Sequence, residues 1–298
     1  MAKKEQNRWT HEVSSKVREA SIITYAAKNL PILGSKSAVK KAIADKRLHL
    51  NGKPAAFSTK VKKGDRLELH GAGIQKAKKY DFDLEVVYED AHLMVVNKPG
   101  GIAVNGNRQK TVENALAGVN NDNQQADALP RPVAAHRIDV PTNGLVLLAK
   151  TKTALIKLSK AFQKNQVSKA YLAVVHGKTA PNGRIEAPIS GKEAITKFKN
   201  LRTVPSKVFQ HLSLVQLHPI TGRTHQLRIH LKDQGHLIVG DKQYMDGRKT
   251  ILGKGLMLCA CRLQFEHPSN GKKLDLKIEA PAKFDRILDR EEERFKKK

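Results

Sequence analysis

The stretch HRIDVPTNG, residues 136–144, lies between two apolar runs of strand length, VAA at 133–135 and GLVLLA at 144–149. Pro141 and Gly144 interrupt regular structure, because proline fixes φ and glycine permits unusual backbone angles. A tight loop with a strand on each side is held rigidly. Asp139 is therefore predicted at the floor of a cleft, although an aspartate in such a turn is more often only a turn former.

On either side of this loop the chain is rich in apolar runs of strand length and contains few helical patterns. Strands are predicted at 84–88, 93–97, 170–175, 209–217 and 256–265, and helices at 153–165 and 224–232. Residues 118–132 are dominated by Asn, Asp, Gln and Pro, which indicates a polar surface loop. The pattern predicts a strand-rich domain with two or three helices.

The charge of the chain points to a polyanionic partner. Its 298 residues include 55 Lys and Arg against 28 Asp and Glu, a net charge of +27. The first 80 residues hold +13 of that excess, which indicates a separate basic N-terminal part. The predicted organisation is a basic tail at 1–14, a small module at 15–73, a linker at 74–83, a catalytic domain at 84–290 and a charged tail at 291–298.

Several classes of protein are excluded by what the sequence lacks. Cys259 and Cys261 are the two cysteines, and they stand too close together for an easy mutual disulfide and too few for a zinc site. We therefore predict buried thiols and no metal. No apolar run approaches the roughly 20 residues that span a bilayer. We expect no membrane partner and a cytoplasmic location.

The N-terminal module shows helical spacing at 15–27 and 35–46, followed by a hairpin turn at Asn51-Gly52. The second helix and its end carry a basic face, made of Lys36, Lys40, Lys41, Lys46 and Arg47. This arrangement resembles the alpha-L RNA-binding module found in a ribosomal small-subunit protein and in tyrosyl-tRNA synthetases. The alternative is a lysine-rich surface that only confers solubility.

Five motifs in the large domain together resemble the RluA-type family of RNA pseudouridine synthases. They are NKPGG at 97–101, the loop around Asp139, KAY at 169–171, GRTHQLRIH at 222–230, and the segment from Gly235-His236 to Gly240-Asp241. The resemblance implies an α+β fold: a mixed, mostly antiparallel sheet with an RNA-binding cleft, plus the small N-terminal α/β RNA-binding module. A metal pair in the fourth motif is excluded, because His225 and His230 are five residues apart and not four.

The resemblance implies an enzyme that isomerises uridine to pseudouridine in structured RNA, ribosomal or transfer. No atoms are gained or lost, so no cofactor, metal or small-molecule cosubstrate is expected, and we expect a monomer. Asp139 matches the catalytic aspartate of the family, acting either as a nucleophile or as the base of a glycal route. Arg223 matches the arginine that keeps this carboxylate charged when it is shielded from water.

The target nucleotide must leave its stack to be reached. Arg137 matches the arginine that fills the vacated space, and Tyr171 matches the tyrosine that packs on the flipped base or removes its C5 proton. Further substrate contacts are predicted from the same motifs at His136, Thr142, Thr224, His225, Gln226 and Arg228.

This sequence departs from the family at Val140, Pro141, Asn143 and Cys259, which leaves open how the loop is braced and which RNA it accepts. Two other functions remain as alternatives. One is a non-catalytic RNA-binding or ribosome-assembly protein, and the other is a basic DNA-binding regulator, for which no recognition-helix pattern is found. Asp139, Arg223 and Tyr171 together favour the enzyme, because a pure RNA binder needs no carboxylate facing a polyanion.

Overall fold

The structure, a computed structural model, describes residues 8–14, 17–30, 33, 36–70, 80–118, 124–245, 247, 251 and 253–297. The chain divides into two units, Met1–Lys78 and Lys79–Lys298. The division falls in the segment predicted as a linker at 74–83, of which residues 74–79 lie outside the described residues.

Within the described residues the first unit consists of short strands and two helices. They are β1 Arg8–Glu12, β2 Ala20–Ser21, α1 Ile22–Asn29, α2 Lys36–Ala44, β3 Leu48–Leu50, β4 Lys53–Pro54, β5 Lys60–Val61 and β6 Arg66–His70. An antiparallel sheet has the order β1-β6-β3-β4, and β2 pairs with β5. The turn predicted at Asn51-Gly52 joins β3 to β4, and both of its residues have the positive φ that such a turn requires.

Two sequence predictions for this unit are wrong in part. The segment predicted as a tail at 1–14 contains β1, which pairs along its whole length with β6 and buries Trp9. The first helix begins at Ile22 and not near residue 15, because Ala20 and Ser21 pair as a strand with β5. Residues 15–16 lie outside the described residues.

The second unit is built on one large sheet. Its elements are β7 Glu85–Glu89, β8 Leu93–Lys98, α3 Val112–Ala115, a 3₁₀ turn Leu116–Gly118, β9 Ala128–Ala134, β10 Asn143–Thr151, α4 Lys152–Gln163, β11 Ser168–His176, β12 Asn182–Ile185, β13 Thr196–Ser206, β14 Gln210–Pro219, α5 Gln226–Asp233, β15 Leu258–Glu266, β16 Lys273–Lys277 and α6 Lys283–Lys296. The strand order is β12-β13-β14-β11-β15-β10-β8-β7, with β16 paired to β15 and β9 to β10. The α+β fold with a mostly antiparallel sheet is confirmed.

The end of the HRIDVPTNG stretch forms the one parallel contact described within this sheet. Asn143 and Gly144 of β10 pair with Cys259 and Ala260 of β15. Gly144 has φ +116°, and a β-carbon on it would lie 2.3 Å from the carbonyl oxygen of Ala260. Only glycine allows β10 and β15 to meet there, so this residue fixes where the loop enters the sheet.

Apolar side chains pack on both sides of the sheet. One cluster includes Ile138, Val146 and Ala260, and it anchors the loop of Asp139. The other includes Leu288 and further residues of α6 together with Cys259. Burial raises the pKa of Cys259 to about 12 and that of Cys261 to about 11, so both thiols remain protonated at neutral pH and act as packing groups.

Two further boundaries differ from the sequence predictions. The polar loop predicted at 118–132 ends at Ala128, where β9 begins and runs beside β10. The charged tail predicted at 291–298 is largely helix, because α6 continues to Lys296 and buries Glu291, which accepts a hydrogen bond from Ser206 Oγ at 2.8 Å. In the part of the chain that the structure describes, no helix has the length and apolar character needed to cross a membrane.

Candidate active site

The loop that carries Asp139 is held through its backbone by the NKPGG motif. Lys98 is fully buried, and its Nζ donates hydrogen bonds to the carbonyl oxygens of Pro99, Ile102 and Val140 at 2.9–3.1 Å. The amide of Gly101 also donates to the oxygen of Val140, at 2.8 Å. Burial lowers the pKa of Lys98 to about 8, and the negative charge of Asp139 opposes that shift.

One of the departures from the family pattern, Asn143, has a structural role in this loop. The side chain of Asn143 accepts a hydrogen bond from the amide of Gly100 at 2.9 Å, which adds a second link between the two motifs. Thr142 is buried, and its backbone amide closes a turn on the carbonyl oxygen of Asp139 at 3.0 Å. The Thr142 side chain, predicted to contact substrate, therefore lies inside the protein.

The Asp139 carboxylate lies between an arginine and a histidine. Its Oδ2 is 3.6 Å from Nη1 of Arg228, and its Oδ1 is 3.8 Å from Nε2 of His225. The side chain is 19% exposed, so the carboxylate is accessible to a ligand yet partly shielded from water. The guanidinium of Arg228 thus places an opposite charge beside the carboxylate.

Arg228 is held in place by a second carboxylate. Its Nε and Nη2 donate to the two oxygens of Asp241 at 2.7 and 2.8 Å, and both side chains are buried. Burial lowers the pKa of Arg228, but the hydrogen bonds and charge of Asp241 outweigh burial and raise the pKa above its usual value. The guanidinium is thus a fixed positive charge beside Asp139.

The prediction that Arg223 pairs with Asp139 is therefore wrong. Arg223 is exposed, and its Nε donates to the carbonyl oxygen of Glu193 at 2.8 Å. Arg228, predicted only as a substrate contact, occupies the place beside Asp139. The reason lies in the local backbone, because Arg223 precedes α5 whereas Arg228 is on its buried face.

Tyr244 connects the two partners of Asp139. Its hydroxyl is 2.8 Å from Nδ1 of His225, and its ring lies 4.9 Å from the guanidinium carbon of Arg228. His225 has φ +56°, a left-handed conformation that is uncommon for a residue with a side chain. Tyr244 was not predicted from the sequence. Its position three residues after Asp241, at the end of the last motif, was the available signal.

Tyr171 belongs to the same site. It is half-buried on β11, and burial together with the negative charge of Asp139 raises its pKa well above the usual range. The phenol therefore remains neutral, which supports a packing role and makes a phenolate base costly to form.

Other predicted contacts have structural partners instead. His136 stacks on Phe162 at 4.4 Å and accepts a hydrogen bond from the amide of Leu147, and burial with the charge of Lys169 lowers its pKa to about 3. Gln226 is buried, and its side chain bonds to four groups of the surrounding backbone and side chains. Arg137 and Thr224, by contrast, are exposed.

Among the described residues, no group of three or more His, Cys, Asp and Glu is arranged to hold a metal ion.

In the first unit, the lysines of the predicted basic face are exposed, and Arg47 is half-buried with its Nε 3.5 Å from Asp45. The exposed lysines are Lys36, Lys40, Lys41 and Lys46.

Most elements of this site lie within a known family model, and Asp241 and Tyr244 follow the matched segment. Residues 92–233, which include the Asp139 loop, the strand of Tyr171 and the whole of α5, match the model described as RNA pseudouridylate synthase. The sheet is also similar to a solved human structure, RNA Pseudouridylate Synthase Domain Containing 4, with a TM-score of 0.56 and 25% identity over 69% of this chain and 92% of that one.

Named relatives belong to the same family. The chain is 31% identical to ribosomal large subunit pseudouridine synthase C of Rickettsia bellii, over 88% of this chain and 95% of that protein. It is 33% identical to the dual-specificity RNA pseudouridine synthase RluA of Escherichia coli, over 67% of this chain and 94% of that protein. The chain belongs to the RluA-type family of RNA pseudouridine synthases, as its motifs predicted.

Proposed function

We propose that this protein isomerises uridine to pseudouridine in large-subunit ribosomal RNA, with Asp139 as the catalytic carboxylate. The observation that carries the proposal is the partly exposed Asp139 carboxylate, held on a braced loop between Arg228 and His225. Relatives named as ribosomal large subunit pseudouridine synthases C and D support the choice of RNA.

The reaction breaks the bond between ribose C1′ and uracil N1 and forms a bond from C1′ to C5. The proton on C5 is lost and N1 gains one, so the product is an isomer of the substrate. An ionised carboxylate can start this sequence, by attack or by removal of a proton. The fixed charge of Arg228 lies 3.6 Å from the Asp139 carboxylate and orients it, so the site does not have to reorganise during the reaction.

Access of the nucleotide to the site requires that it leave its stack, which costs a few kcal/mol. Arg137 is exposed two residues before Asp139, where its side chain can occupy the gap left in the RNA. The neutral ring of Tyr171 then packs against the flipped uracil.

The test measures tritium released from unmodified bacterial large-subunit ribosomal RNA labelled at uracil C5. We expect release by the wild type and none by Asp139→Asn, with unchanged RNA binding and thermal unfolding in the variant. Pseudouridine sequencing of RNA from cells with and without the gene then identifies the uridine. Undiminished release from Asp139→Asn would refute the role of this residue. RNA binding without release by the wild type would favour a ribosome-assembly protein.

A further inference from the structure

A lysine near the proposed catalytic site, Lys169, has no acidic partner among the described residues. Lys169 stands two residues before Tyr171 on β11, so the two side chains project from the same face of the strand. It is half-buried. The structure gives Lys169 no hydrogen bond or ion pair with a carboxylate of any described residue. Burial lowers the pKa of Lys169, and no neighbouring charge offsets the shift.

The charge of Lys169 also reaches the catalytic loop. After burial, which is the larger cause, the charge of Lys169 also lowers the pKa of His136, three residues before Asp139. A histidine is neutral or positively charged, so His136 cannot balance the charge of the ammonium. Binding of an anion would offset the cost of partly desolvating this ammonium.

Gly222 leaves this ammonium uncovered. A β-carbon built on Gly222 would lie 3.8 Å from Lys169 Nζ, and among the described residues outside the adjacent chain it would meet no other heavy atom within 4 Å. Gly222 does not have a positive φ, so its backbone angle does not demand glycine. The absence of a side chain therefore opens a space above the lysine.

We propose that Lys169, in the space left by Gly222, binds a phosphodiester of the RNA next to the target uridine. A phosphodiester carries a single negative charge, and the ammonium offers three donors without a fixed geometry. The position on the face of Tyr171 puts this contact beside the flipped base, where it fixes the register of the strand. The inference rests on the proposed function and adds the anion site to it.

The test compares the RNA affinity of variants in the Asp139→Asn background, which prevents turnover. The probe is the unmodified ribosomal RNA transcript, titrated over a range of salt concentrations. For Lys169→Met we expect about tenfold weaker binding and a slope of log K against log salt that is lower by about 0.7, the value for one lost phosphate contact on a single strand. Lys169→Arg keeps the charge and should keep the slope.

Two controls separate this site from general electrostatics. Lys199→Met makes the same charge change at an exposed lysine on the opposite face of the sheet from Tyr171. Tyr171 pairs with Leu217, and Leu217 pairs with Phe198, so the neighbouring Lys199 points to the opposite face. Lys199→Met should change the slope by less than half as much. Gly222→Val keeps every charge and should weaken RNA binding by covering the ammonium.

Steady-state kinetics use the single variant, in which Asp139 is present. Here Lys169→Met should raise KM about tenfold and change kcat less than about threefold.

Equal slopes for Lys169→Met and the wild type, or equal effects of Lys169→Met and Lys199→Met, overturn the proposal. A loss of kcat and Tm with an unchanged slope also overturns it, because that result describes a purely structural lysine. If the wild type binds RNA and the slope falls as expected but no tritium is released, the anion site stands and the proposed function fails. If tritium is released but the slope is unchanged, the proposed function stands and the anion site fails.

Discussion

Replacing Arg228 by glutamine tests which arginine serves Asp139. The change removes a guanidinium that makes two short hydrogen bonds to Asp241 and lies 3.6 Å from Asp139. Asp241 would remain buried without its counter-ion. Breaking a buried ion pair in this way costs about 3–5 kcal/mol, which lowers the Tm of a unit of this size by roughly 6–20 °C.

The effect on catalysis should be separate from the effect on stability. At a temperature where both proteins are folded, we expect the kcat of Arg228→Gln for tritium release to fall about 100-fold, the usual cost of one fixed electrostatic contact. Asp241→Asn is the matched control, because it breaks the same buried pair but leaves the guanidinium beside Asp139. It should lose similar stability and keep kcat within about tenfold of the wild type.

Arg223→Gln completes the comparison. Its exposed side chain makes one hydrogen bond to a backbone carbonyl, so we expect a change in unfolding free energy below about 1 kcal/mol and a kcat within about threefold of the wild type. The reasoning is refuted if Arg223→Gln abolishes kcat while folded, or if Arg228→Gln keeps the kcat and Tm of the wild type.

Three further results are expected. Gly144→Ala should lower the free energy of unfolding in urea by at least about 3 kcal/mol. Gly106→Ala is the control, because Gly106 has a similar positive φ and no atom lies within 4 Å of the new carbon, and it should lower this free energy by only about 1 kcal/mol. Equal losses would exclude the clash with β15. Folding lowers the pKa of His136 to about 3, so below pH 6.5 the unfolded state binds a proton that the native state does not. The free energy of unfolding should therefore fall by up to about 2 kcal/mol between pH 6.5 and 5. In His136→Gln this part of the pH dependence should be absent. Finally, four exposed lysines of the first unit can be replaced together by glutamine: Lys36, Lys40, Lys41 and Lys46. This variant should have a lower slope of log K against log salt for RNA binding and an unchanged kcat at saturating RNA. An unchanged slope would contradict RNA docking by the first unit.

Several structural features were readable from local sequence because they depend on neighbouring residues. The hairpin at Asn51-Gly52 requires only two residues that accept positive φ. The core strands β8 and β10 follow apolar runs that are buried on both faces. The predicted element boundaries that were wrong depend on residues far away along the chain. Strand β1 forms because β6, more than fifty residues away, offers a free edge, and no local pattern reports that pairing.

In the site, too, some features follow from local sequence and others depend on distant residues. The Asp139 loop was predictable from Pro141, Gly144 and the strands beside it. The choice between Arg223 and Arg228 was not, because both stand in one motif and only the start of α5 determines which one turns inward. Tyr244 could be recognised as a partner only when its hydroxyl was found 2.8 Å from His225.

The sequence by itself determined the family, the catalytic carboxylate to propose and the excess of positive charge, since these are carried by residue types in a fixed order along the chain. The tertiary structure decided which cation accompanies Asp139, which motif residues are buried supports and that Lys169 has no carboxylate partner among the described residues. Those properties depend on distances between side chains from separate strands and helices, and such distances exist only after the sheet has formed.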